Sequence, residues 1–377
     1  LRRLDQHVLA ELLGELVDVD PAQELAHGRR ADVGVERRVA LFPCLGAQGE
    51  VLLFIEQLVG ADLLLARVDD GFVARHGLVK GSMNLIDEER AEKLYADMGQ
   101  AIEVSGGSAG NTAAGIASFG GRAAYFGKVK ADQLGDIYRH DMRAQGVRFD
   151  TAAAADGPAT ARSFILVTPD GERTMNTYLG ACVNLTTADI DAATVAAAKV
   201  TYMEGYLWDR PEAKEAFRLA ASIARKAGRL TSITLSDSFC VERHRESFFD
   251  LIRNNIDIVF ANEAEIKSLY QTQNFDGAAQ AIRRDCPIAV LTRSAAGCVV
   301  LKGEEAHTLP AHPVGRVVDV TGAGDLFAAG FLFGFTSGRA LPQCARLGAL
   351  AAAEVISHIG ARPEVNLGAH GRAEGLL

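Results

Sequence analysis

The run Asp319-Val320-Thr321-Gly322-Ala323-Gly324-Asp325, followed by the small and apolar residues 326–335, decides how this chain is read. Glycines immediately before a helix leave successive backbone N–H groups unobstructed, and the helix N-terminus adds a partial positive charge. Gly322, Ala323 and Gly324 therefore read as an anion hole. Asp325, in the first turn, places a carboxylate beside a bound phosphate, where it can accept a proton from an attacking hydroxyl. A Gly-rich turn with an acidic first-turn residue also forms without any ligand. Two aspartates bracketing Thr-Gly-x-Gly, ahead of a helix of small residues, favour the phosphate reading.

Outward from that run, the chain after Lys80 alternates short apolar runs with longer amphipathic ones. Strands are predicted over 123–126, 163–167, 229–235, 257–261, 288–292 and 298–301, and helices over 111–119, 134–145, 212–227, 243–254, 263–270 and 275–284. That alternation implies an α/β fold with a doubly wound, mainly parallel sheet covered on both faces. Residues 159–179 break the series: two strand-like runs flank the turn Pro169-Asp170-Gly171 with no helix between them. They predict a small β lid beside the main sheet.

Two further motifs carry chemistry. Ser105-Gly106-Gly107-Ser108-Ala109-Gly110-Asn111 leads into a helix, and its paired glycines let backbone approach a ligand while Asn111 can donate to and accept from sugar hydroxyls. A flexible loop with a helix cap at Ser108 or Asn111 is the plainer alternative. Asn262-Glu263-Ala264-Glu265 follows a strand, where Asn262 can cap a helix and both acids suit its dipole. Alternatively, Glu265, and Asn262 through water, place a Mg²⁺ bound to nucleotide phosphates. Asp237 reads equally as a nucleotide-side residue or a cap, His244 and Arg243 as solvated, and Tyr206 and Trp208 as core or as neighbours of an acceptor base.

With these three motifs in order, residues 66–365 resemble the PfkB/ribokinase superfamily of ATP-dependent sugar and nucleoside kinases. Gly106 to Asn111 matches its Gly-Gly-x-x-x-Asn motif, 262–265 its Asn-x-x-Glu, and 319–325 its Asp-x-Thr-Gly-Ala-Gly-Asp signature. The run 67–78, the Asn262-Glu263-Ala264-Glu265 helix and the hairpin residue Arg173 look most like the adenosine kinase branch. The resemblance implies a ribokinase-like fold with lid strands drawn from about 64–104, 122–130 and 160–179. It implies transfer of the γ-phosphate of ATP, with Mg²⁺, to a primary hydroxyl of an adenosine-like nucleoside. Asp325 is then the base, Gly322, Ala323 and Gly324 the anion hole, and Gly106, Gly107 and Asn111 the ribose site. Asn262, Thr292 and Gly297 serve the nucleotide, Glu265 with Asn262 the metal, and Arg173 the transferring phosphate. A ribokinase- or fructokinase-like sugar kinase and a catalytically weak nucleoside-binding relative are the alternatives.

The N-terminal stretch departs from that pattern. Residues 1–79 contain no Lys, Ser, Thr, Asn, Tyr, Met or Trp, types that a folded domain uses in caps and turns. Family members open with a strand ending in Gly-Asn-x-x-x-Asp, and alignment puts Leu63 where that Asp belongs, with Asp62 one residue away and Val59 in place of the Asn. A slip of one residue in a strand turns a side chain to the other face. Residues 1–62 are therefore expected to be an atypical segment, non-native or disordered, arising from a wrong start or a shifted reading frame, with the kinase domain spanning 63–377. Peptide mapping of protein from the native locus tests this, since recovery of peptides from 1–59 contradicts it.

Composition bounds the partners. The chain of 377 residues, 48% apolar, is long enough for an ample core. Its net charge of −9 without blocks of like charge speaks against nucleic acid or a polybasic membrane patch. Six scattered cysteines without CxxC pairs fit reduced thiols, and no apolar run nears the roughly 20 residues of a membrane helix. A cytoplasmic monomer or homodimer acting on ATP and a small acceptor is expected.

Overall fold

The computed structural model describes residues 51–55, 62–170, 172–205 and 211–377. Its strands are β1 (Val51–Ile55), β2 (Asp62–Arg67), β3 (Met83–Leu85), β4 (Ala101–Ser105), β5 (Arg122–Phe126), β6 (Val147–Phe149) and β7 (Arg162–Val167). Then follow β8 (Arg173–Tyr178), β9 (Val200–Glu204), β10 (Leu230–Thr234), β11 (Ile258–Asn262), β12 (Ile288–Thr292), β13 (Cys298–Lys302) and β14 (Glu305–Leu309). The helices are α1 (Asp70–Arg75), α2 (Glu88–Asp97), α3 (Ser108–Ser118), α4 (Gln133–Ala144), α5 (Ala192–Ala197) and α6 (Pro211–Lys226). They continue as α7 (Ser238–Asn255), α8 (Glu263–Leu269), α9 (Phe275–Asp285), α10 (Ala323–Thr336), α11 (Leu341–Val355) and α12 (Leu367–Ala373).

Among the described residues, nine strands form one sheet in the order β14-β13-β12-β11-β10-β9-β1-β5-β6. From β12 to β6 every pairing is parallel, and β13 and β14 close the other edge as antiparallel strands. Parallel strands must bury both faces, and side chains of β11 show how. Val259 and Ala261 join one core with Phe217, Phe248, Ile266 and Ile282 of α6 to α9, whereas Ile258 and Phe260 join a second core with Ile116, Phe331 and Leu347 of α3, α10 and α11. The period of two along the strand thus serves two helical layers at once. This is the doubly wound, mainly parallel α/β sheet, covered on both faces, that the alternation predicted.

The lid is a five-stranded sheet, β3-β8-β7-β2-β4. Its outer face packs Leu64 and Phe164 on Ala91, and Leu166 on Phe72 and Leu94, residues that α1 and α2 supply. Its inner face presents Leu63, Leu65 and Ile165 to Ala361.

Two expectations about boundaries are corrected. Arg122–Phe126 was expected among the lid strands, but β5 lies in the large sheet between β1 and β6. The reason is visible in its burial: Ala123, Ala124, Tyr125 and Phe126 are all buried, and a strand apolar on both faces belongs inside a covered parallel sheet. The folded unit also begins before residue 63, because Val51–Ile55, expected within the atypical segment, pairs with β5 on one side and β9 on the other. Residues 1–50 lie outside the described residues.

The chain leaves β1 for the lid, returns through α3 to β5 on one side, and later places β9 on the other. Ligands of such sheets bind outside the carboxyl ends of the strands where the winding reverses. Residues 106–111 and 319–325 meet through Ser108, Asn111 and Asp325, while 262–265 sits at the end of β11, three strands along the sheet from β1. No helix among the described residues is long and apolar enough to cross a membrane.

Candidate active site

α10 begins at Gly322, whose φ of +79° is left-handed and whose missing side chain is required. A Cβ there would stand 2.7 Å from the carbonyl oxygen of Ala361 and 2.8 Å from its Cα. Gly324 differs, since a Cβ on it would meet nothing within 4 Å. Open space therefore faces the first turn of α10, whose N–H groups have no acceptor inside the helix. The two glycines shape the start of α10 by different means: Gly322 sets the turn, and Gly324 leaves room in front of it.

Asp325 projects from that turn toward α3. Ser108 Oγ donates to its Oδ1 at 2.8 Å and Asn111 Nδ2 donates to its Oδ2 at 2.9 Å. Both donors come from residues that were possible helix caps, and neither caps. α3 starts at Ser108, three residues ahead of its predicted start, with Gly107 as the cap residue at φ +90°. The i and i+3 positions of one helix face then present Ser108 and Asn111 together. Burial pushes the Asp325 carboxyl up to about 6, against the lowering pull of these two donors. The Asn111 Oδ1 is buried with no hydrogen-bond partner among the described residues, so this amide is anchored by its nitrogen and keeps its acceptor for something else.

Gly106 is the meeting point of the loop before α3 and the lid. A Cβ on it would lie 2.5 Å from Cγ of Leu63, so the leucine rests directly on the glycine. Leu63, at the position expected to align with the family's sugar-contacting Asp, therefore faces the Gly106 loop with an apolar side chain. The side chain of Asp62 lies outside the described residues, as do Tyr206 and Trp208.

Arg173, at the start of β8, reaches down from the lid. Its Nη1 donates to Oδ1 of Asp319 and, at 2.5 Å, to Oγ1 of Thr321. Asp319 is 1% exposed and also accepts from Thr321 N at 2.7 Å and Gly360 N at 3.1 Å. Burial opposes its ionisation, but the guanidinium, the Thr321 hydroxyl and the two amides outweigh it and hold the carboxyl below the usual range. The lid arginine is thus tied to the loop before α10 rather than standing alone on an exposed hairpin.

Asn262 and Thr292 are register partners at the ends of β11 and β12. They line one cavity of about 890 Å³ together with Ser238, Arg245, Lys267 and Arg293. Asn262 and Glu265 form a reciprocal cap on α8: Asn262 Oδ1 accepts from Glu265 N at 2.9 Å, while Glu265 accepts from Asn262 N at 2.9 Å and from Nδ2 at 2.5 Å. Burial, with Asp237 and Asp325 nearby, raises the Glu265 carboxyl to about 7. Gly297 has a structural duty of its own, since a Cβ there would lie 1.9 Å from the Leu309 carbonyl oxygen. Asp237 caps α7 by accepting from Cys240 N at 2.6 Å. Ser108 was missed as a site residue. The spacing of Ser108 to Asn111, one helical turn apart, offered a signal.

The profile of the pfkB family of carbohydrate kinases matches residues 78–366. The chain belongs to this family. It is similar to the crystal structure of adenosine kinase from Sinorhizobium meliloti, at 55% identity and a TM-score of 0.83, covering 87% of this chain and 100% of that one. A probable sugar kinase from Rhizobium etli CFN 42 is similar at 54% identity and a TM-score of 0.83, covering 87% and 99%. Adenosine kinase of Saccharomyces cerevisiae is 26% identical over 317 residues, 78% of this chain and 92% of the relative. As a pfkB kinase, the protein is an ATP-dependent phosphotransferase acting on a hydroxyl of a small molecule, with ATP as cosubstrate.

Proposed function

We propose that this kinase phosphorylates the primary hydroxyl of an adenosine-like nucleoside, with Asp325 as the base. One observation carries the reading: Asp325 is held by Ser108 and Asn111 at the mouth of the α10 anion hole, while Asn111 Oδ1 stays open to a ligand hydroxyl. The similarity to the S. meliloti adenosine kinase supports the nucleoside as acceptor. Phosphoryl transfer asks a protein chiefly to align reactants and to neutralise charge. Here Asp325 orients the hydroxyl and takes its proton, and the amides of the α10 turn face the charge that develops on the phosphoryl oxygens.

Among the described residues, no group of three or more His, Cys, Asp or Glu side chains could enclose a metal. The oxygen donors of Asn262 and Glu265 suit Mg²⁺, but both Glu265 oxygens are engaged by Asn262, which fits contact through water rather than direct ligation. Mg²⁺ arriving with the nucleotide supplies charge neutralisation on the phosphates. An acceptor screen with Mg-ATP, across nucleosides and sugars, tests the proposal. Adenosine-dependent ADP release is the expected result, and turnover with sugars alone sinks the nucleoside assignment.

Leu63 resting on Gly106 favours a second reading, a weakly active relative that binds its nucleoside poorly. The substitution Leu63→Asp separates the two. It is expected to lower the acceptor KM by roughly tenfold or more, the worth of a charged hydrogen bond, while the ATP KM stays within about twofold. An unchanged acceptor KM in a folded variant counts against position 63 as the sugar-contacting site.

A further inference from the structure

The segment Gly360, Ala361 and Arg362, ahead of α12, touches the loop before α10, the lid and the loop before α3, and none of the three motifs contains it. Gly360 N donates to Asp319 Oδ2 at 3.1 Å. Ala361, 1% exposed, lies against Gly322 on one side and belongs to the apolar cluster of Leu63, Leu65 and Ile165 on the other. Arg362 Nη2 donates to the carbonyl oxygen of Gly106 at 3.2 Å and lies 3.3 Å from Met142 Sδ. The guanidinium carbon sits 5.4 Å from the centre of the Tyr138 ring. Arg362 Nε and Nη1 are buried and have no hydrogen-bond partner among the described residues.

We infer that Arg362 is a positioning residue for the acceptor, setting the Gly106–Gly107 turn from beneath while its neighbours brace the phosphate-side loop. The argument rests on what holds each end. Downstream, Glu364 N and Val365 N donate to Glu354 Oε1 at 3.0 and 3.2 Å, and Leu367 N donates to Ser118 Oγ, in the last turn of α3, at 2.9 Å. Upstream, the Asp319 bond fixes Gly360. Between two fixed ends the arginine cannot follow a drifting loop, so the Gly106 carbonyl must come to it. A guanidinium with unpaired buried donors is costly. The face of Tyr138 and the Gly106 carbonyl are the contacts that offset that cost. Because Gly106–Gly107 leads directly into Ser108 and Asn111, a shift of this turn moves both groups that hold Asp325.

The inference uses the proposed acceptor reading, and its test has a readout that does not. In Arg362→Ala, the KM for the nucleoside is expected to rise roughly tenfold, with the ATP KM within about twofold. Amide hydrogen exchange of residues 104–111 should quicken in the same variant, with the rest of the chain unaffected. Arg362→Lys, which keeps a donor for Gly106, is expected to recover part of both effects. An unchanged nucleoside KM and unchanged exchange overturn the inference. So does a uniform loss of kcat with both KM values intact and a lowered Tm, which marks a purely structural role. If the unsubstituted enzyme turns over no acceptor at all, the proposed function fails, and the exchange measurement alone decides on Arg362.

Discussion

Asp325→Asn is expected to leave nucleotide and acceptor binding nearly intact and to lower kcat on the order of 10²–10⁴-fold, the usual scale of a general base. The asparagine keeps the shape and can still accept from Ser108 or Asn111, so ground-state geometry survives while the proton has no destination. The titration of Asp325 adds a second signature. The base works only when ionised, so kcat/KM should fall about tenfold per pH unit below about 6 and level off above it. Stability runs the opposite way. A carboxyl whose folded pKa is raised binds its proton more tightly in the folded state, so stability declines as pH rises from the unfolded value of 3.8 toward about 6. Above that window the buried charge is a standing cost, and Asp325→Asn should raise stability by on the order of 1 kcal/mol at pH 8. Unchanged turnover in the variant sinks the assignment of Asp325. A lowered Tm at pH 8 contradicts the account of its burial.

The second large effect is expected at Asp319. Its carboxylate gathers Arg173 from the lid, Thr321 N from the anion-hole loop and Gly360 N from the segment before α12. Asp319→Ala would leave a guanidinium and two amides facing an emptied, nearly inaccessible site. Removing one partner of a buried ion pair costs about 3–5 kcal/mol, so thermal unfolding should move down by many degrees. At temperatures where the variant remains folded, kcat/KM for ATP should still drop, on the order of 10²-fold, because the loop that aims the α10 amides loses its anchor. Arg173→Ala isolates the lid contribution: it removes the bonds to Asp319 and Thr321 but leaves Asp319 its two backbone amides, so it should cost less in stability than Asp319→Ala. Equal stability of Asp319→Ala and the unsubstituted protein, by calorimetry, would remove Asp319 from this role.

Much of this site is local in origin, and that portion was legible beforehand. The glycine turn before α10, the cap Asn262 forms on α8 and the paired glycines before α3 each depend on residues within one or two turns of one another. So does the alternation of apolar strand runs with amphipathic helices, from which the layered α/β architecture follows. The family resemblance rested on the same short segments, and the matched region, 78–366, falls inside the span they marked, 66–365, except for its last residue.

What the tertiary structure decided is of another kind. Ser108 and Asn111 reach Asp325 across 217 and 214 residues, Arg173 reaches Thr321 across 148, and Arg362 reaches Gly106 across 256. Residue pattern within any one segment does not encode such pairings, because they arise from strand order and from the register in which elements dock. The same gap explains the errors. Arg122–Phe126 reads as a strand wherever it goes, and only its neighbours β1 and β6 place it in the large sheet rather than the lid. Ser108 reads as a cap until Gly107, at φ +90°, takes that position and frees the hydroxyl for a carboxylate 217 residues away. Local sequence determined which groups this protein brings to phosphate chemistry. Packing between distant elements determined which of them touch, since a side chain's partner is set by the fold that surrounds it.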